Sequence, residues 1–147
     1  MIQEIKEAAE SVGISAFITN SGERIENQLN RITREEDLPI MLVSWDIDVN
    51  LNFDSSGFLE NPVASIVALI LTKPEDTSKE EAEKSAEEMA LLYHAFLKSL
   101  NSIQIRYQKQ SDQPITSASY KMVPQHGAGK HSGVLCRWNM KVKVENC

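Results

Sequence analysis

A chain of 147 residues, 41% hydrophobic and 24% charged, has the size and make-up of one globular domain and can bury a real core without disulfide staples. The formal net charge of −6, with 15 basic residues scattered along the chain, disfavours a grip on nucleic acid, where Lys and Arg must neutralise phosphates. No signal-peptide pattern opens the chain, and its most apolar stretch, Val63 to Leu71, is about half the roughly 20 residues a membrane helix needs. The expectation is a single domain over residues 1–147, soluble and not secreted.

Ile2, Ile5, Ala9 and Val12 recur at helical spacing with Glu and Lys between them, which predicts an amphipathic helix that stops at Gly13. Ile14 to Thr19 reads as a short strand ended by the turn residues Asn20, Ser21 and Gly22. Ile25, Leu29 and Ile32 then fit a short surface helix within Glu23 to Thr33, although Arg34 to Asp37 also suit a loop. From Pro39 the period changes to two. Met41, Val43, Trp45, Ile47, Val49, Leu51 and Phe53 alternate with polar residues and predict one long half-buried strand. Asp54-Ser55-Ser56-Gly57 breaks the run. Val63 to Thr72 is apolar on both parities, as expected of a strand covered on both faces and joined to the first by a hairpin.

Ser78 with Glu81 three residues on makes a capping box for a long helix to Leu100, whose stripe is Ala82, Ala86, Met89, Tyr93, Phe96 and Leu100. Three further extended segments are expected. They carry Ile103, Ile105 and Tyr107, then Ala118, Tyr120 and Met122, and last Val134, Cys136, Trp138, Met140, Val142 and Val144. Polar loops around Asp112 to Pro114 and over Gln125 to Gly133 would connect them. The fold class is therefore α+β. It is expected to be a mostly antiparallel sheet of about five strands, with the long helix and the N-terminal helix on one face.

Each patch with chemical colour has a plainer explanation. His126 to Gly133 contains Gly129-Lys130, but a phosphate loop needs G-x-x-x-x-G-K-[ST] opening a helix; here spacing, the following His131 and the predicted strand all differ. His126, His131 and Cys136 lack the paired close spacing of a zinc site. Asp46 and Asp48 share a strand face with Asn50 and Asn52 and read as its solvated side. Arg137, Lys141 and Lys143 likewise read as a solvated row, and His94 as a surface residue. Two cysteines are too few for a disulfide framework, and Cys136 falls on an apolar parity where a thiol packs like a small hydrophobe. No nucleophile elbow is present. No catalytic residue, cofactor or metal is assigned, and the chain is not read as an enzyme.

The order of elements resembles that of bacteriophage tail terminators and related tail-completion or neck proteins. Leu38-Pro39-Ile40 leads into the strand Met41 to Phe53; strand Val63 to Thr72, helix Ser78 to Leu100 and a closing strand with Trp138 follow. The resemblance spans residues 1–144 and rests on order and pattern alone. It implies a structural subunit of a phage or prophage tail, in the host cytoplasm or the virion, that assembles as a homo-oligomeric ring, a hexamer, with other tail or neck proteins as partners and no membrane. The alternative is a non-enzymatic protein- or ligand-binding module of a bacterial cytoplasmic protein. Candidate contact residues are Phe58 and Leu59 in the hairpin loop, and His126, Lys130 and His131 in the later loop. Two adjacent apolar residues at a turn have no core to enter unless the hairpin folds back.

Overall fold

The computed structural model describes residues 2–20, 39–44, 47–60, 62–74, 79–108, 114–126 and 131–141. The expected helix Glu23 to Thr33, Trp45, Asp46, the Ser78 cap, Lys130, Lys143 and Cys147 lie outside these residues. Helix α1 (Ile2–Ser11) leads into β1 (Ala16–Asn20), followed by β2 (Ile40–Ser44), β3 (Asp48–Asn50), β4 (Val63–Pro74), helix α2 (Lys79–Gln108), β5 (Ile115–His126) and β6 (His131–Lys141). The architecture is α+β, a mostly antiparallel sheet in the order β1-β2-β4-β6-β5 with both helices on one face.

β4 is the centre of the sheet. On one side it pairs with β2 and then β3, on the other with β6 along almost its whole length. β6 also pairs with β5, while β1 joins β2 in a parallel ladder. The double apolar parity of β4 now has a cause. Ala64, Ile66, Ala68 and Ile70 face the helices, whereas Leu69 and Leu71 join Ile40 and Leu42 in a second buried cluster on the other face. Gly133 makes the β4–β6 approach possible, because a β-carbon there would run into the Ile70 carbonyl.

The helix face carries the main core. α2 contributes Ala82, Ala86, Tyr93, Phe96 and Leu100, all buried, with Met89 partly buried against them. Below them lie Val134, Cys136, Trp138 and Met140, the predicted inward parity of β6. Phe96 meets Trp138 edge to face at 5.3 Å, and Tyr93 donates its hydroxyl hydrogen to the Arg137 carbonyl at 3.1 Å. α1 closes the end of this layer with Ile5, Ala8 and Ala9, and a 2.6 Å hydroxyl contact between Ser11 and Ser99 ties it to α2.

Three expectations are corrected. Ile103, Ile105 and Tyr107 belong to α2, not to a strand, so the helix is 30 residues and about 45 Å long. Ile103 is buried as the next step of the Phe96–Leu100 stripe. The long strand Met41 to Phe53 is interrupted. Val43 opposes Ala68 but Asp48 opposes Ser65, so β3 meets β4 two residues out of the register of β2, a shift that preserves parity. The loop expected over Gln125 to Gly133 is shorter, since β5 continues to His126 and β6 begins at His131.

Candidate functional site

The hairpin beyond β3 is built by a sequence that outruns its partner. β4 begins at Val63, which pairs with Asn50, so the chain after Asn50 has no further β4 residue to pair with. It closes on itself instead. Phe53 bridges Leu59, the Glu60 amide donates to the Asn52 carbonyl at 2.8 Å, and the Asp54 amide donates to the Phe58 carbonyl at 2.8 Å. The Asp54 carboxylate accepts from the amides of Ser56 and Phe58, both at 2.9 Å, and Gly57 takes φ 83° to complete the turn. The result is a structured arm.

This arm is apolar and exposed. Phe58 is 72% exposed, Phe53 65%, Leu51 60%, and Val49 and Leu59 are close to half exposed. The pleat puts Val49, Leu51 and Phe53 on one face, with Leu59 beside Phe53 across the bridge. Asp48, Asn50, Asn52 and Asp54 alternate with them. Every charged residue from 47 to 60 is acidic, namely Asp48, Asp54 and Glu60. The candidate contacts Phe58 and Leu59 thus sit at the tip of a larger exposed surface, and Val49, Leu51 and Phe53 were missed because their alternation matches that of a buried strand. At the arm's root, Asn52, Leu59, Glu60, Val63 and Lys141 line a shallow hollow of about 460 Å³.

The other candidates lie elsewhere. His126 and His131 oppose each other at the end of the β5–β6 ladder, and His131 also opposes Pro74 at the far end of β4. The arm joins β4 at Val63, so the two regions are separated by the length of that strand, roughly 35 Å at 3.3 Å per residue. The fold therefore does not bring the two candidate groups together.

A second exposed surface follows β5, the strand at the end of the sheet opposite β1. Residues 116–122 are all exposed, Tyr120 and Met122 at 45% and 43%. Tyr120 packs edge-on against Tyr93 and against His94 of α2, and Leu91, one helical turn before His94, is 67% exposed. The opposite parity carries Ser119 and Lys121, which with Arg137 and Val67 border a hollow of about 190 Å³. Here β5 and β6 hold Lys121, Arg137 and Lys141 and no acidic residue.

Little of this is chemically reactive. Burial pushes the Cys136 thiol well above its ordinary range, and does the same to the Tyr93 hydroxyl. Asp48 is exposed on the polar parity of β3. Among the described residues no group of three or more His, Cys, Asp or Glu is placed to hold a metal ion, and no helix is long and apolar enough to cross a membrane. Neither a protein-family model nor a curated protein matches the chain.

Proposed function

We propose that this protein is a structural assembly subunit of a phage or prophage tail, one component of a homo-oligomeric ring that caps or joins the tail tube. The observation that carries this reading is the arm 47–60. An exposed apolar surface held in a defined conformation by its own hydrogen bonds is what a subunit needs for a contact that is vacant until assembly. The arm and the β5 strand lie at different margins of one sheet, so the chain offers two unlike surfaces. Unlike surfaces give head-to-tail contacts, and such contacts make a ring when the rotation between neighbours closes. The resemblance in element order to tail terminators supplies the tail context, with a hexamer as the expected ring and other tail or neck proteins at its two faces.

The test is Phe58→Ser combined with Leu59→Ser. Both side chains are exposed in the isolated chain, so the double variant should keep the wild-type circular dichroism spectrum and a cooperative melt, lower only by what assembly contributes, while its solution mass falls toward the 16.5 kDa of one chain. A variant that assembles like the wild type, or one that loses the folded spectrum and the cooperative melt, contradicts the reading.

A further inference from the structure

Resting on the ring reading, we infer that the ring contact is the arm of one copy adding as an extra strand to the β5 edge of the next copy. Both are strand edges with no described neighbour. β3 pairs with β4 on one side only, and β5 pairs with β6 on one side only. Register shifts at Ile115/Ser117 and Val123/His126 leave a regular run between them. Unpaired edges are templates for another strand, and natural sheets that do not use them blunt them.

The patterns of the two edges match. Seven consecutive exposed residues, Asp48 to Asp54, alternate Val49, Leu51 and Phe53 with polar side chains. Seven consecutive exposed residues, 116–122, alternate Tyr120 and Met122 with Ser119 and Lys121. When the strands pair with apolar parity facing apolar parity, the acidic parity of the arm falls on the side of Lys121 and Arg137.

Charge selects this pairing over the two symmetric ones. Arm against arm would bring the Asp48 and Asp54 parity of one copy against the same acidic parity of the other, Asp48 facing Asp54 when the axis passes Leu51. β5 against β5 would put the Lys121 of both copies on one parity with no acidic residue to meet either, and an edge lysine is a common device against edge aggregation. Arm against β5 brings opposite signs together. The occupant of the β5 edge is thus a second copy of this chain, and the contact is head-to-tail.

The decisive experiment uses two full-length variants with changes only at exposed positions. One disables the arm (Leu51→Ser with Phe53→Ser), the other the edge (Lys121→Glu with Met122→Glu). A wild-type far-ultraviolet circular dichroism spectrum and a cooperative melt show that each folds; the melting temperature itself falls by what assembly contributes. Each variant alone should run as a single chain, because each lacks one half of every contact. Mixed in equal amounts they should form a species of two chains, twice 16.5 kDa, and nothing larger, since one intact arm meets one intact edge and the series then ends. If the wild type assembles and either variant alone does too, or the mixture yields no two-chain species, the arm-on-edge contact is wrong while the ring reading stands. If the wild type itself is a single chain at every concentration, the contact and the ring reading fall together.

Discussion

Replacing Phe96 with Ala tests the core on which the arm and the β5 edge are mounted. Phe96 is fully buried on α2, with Trp138 edge to face at 5.3 Å and Tyr93 stacked at 6.4 Å. Truncating a buried Phe removes its transfer free energy and leaves a cavity, about 3–5 kcal/mol together. Aromatic pair energy of about 0.5–1.5 kcal/mol is lost as well, which places this site in the upper half of that range. With unfolding entropy near 2.1 cal/mol/K per residue, a chain of 147 residues loses roughly 13 °C in Tm for 4 kcal/mol. Leu91→Ala is the control: the same helix, but two-thirds exposed at 67%, so its cost should stay below about 1 kcal/mol. Urea titrations followed by circular dichroism read both values. They should be run at one protein concentration, because assembly adds a mass-action contribution to apparent stability. A Phe96→Ala cost under about 1 kcal/mol, or one equal to Leu91→Ala, would mean that α2 does not pack on β6 as described.

Three further outcomes follow from individual residues. Gly133→Ala forces β4 and β6 apart at the Ile70 carbonyl and should cost at least about 1–3 kcal/mol in a denaturant titration; a neutral result would refute the close approach. Cys136 is buried and its thiol is held protonated far above neutral pH, so in a Cys147→Ser background no thiol should react with a disulfide reagent until the chain unfolds. Reaction of the folded chain at the rate of a free thiol would contradict that burial. Replacing both His126 and His131 with Ala should leave the melt unchanged and the protein free of stoichiometric zinc. One zinc per chain, lost in the double variant, would reverse the reading of this strand end.

Much of the fold was legible where one period dominates. The inward parity of β6, the stripe of α2 and the two-sided apolarity of β4 all appear in the sequence as they are used. The end of α2 was not legible, since Ile103, Ile105 and Tyr107 alternate like a strand while Leu100, Ile103 and Tyr107 continue a helical stripe. Five residues cannot separate the two periods, and the helix already begun decides. The register shift between β2 and β3 was hidden for a different reason: it is two residues, which preserves parity, so the alternation in sequence runs on unbroken.

The candidate surface shows what periodicity leaves out. Val49, Leu51 and Phe53 are spaced like Met41 and Val43, yet Met41 and Val43 are buried and the other three are exposed. Alternation tells which side chains share a face, and the length of the neighbouring strand decides whether that face is covered. β4 starts at Val63, too late to cover the arm. Phe58 and Leu59 were readable because a turn lies between them and the strand, and turns seldom enter a core.

The central claim is that this chain is built to assemble, and its solution mass by light scattering across a dilution series tests it most directly. The account predicts one species whose mass is a fixed multiple of 16.5 kDa, six chains on the tail-ring reading, that persists on dilution. A mass of one chain at every concentration would contradict it.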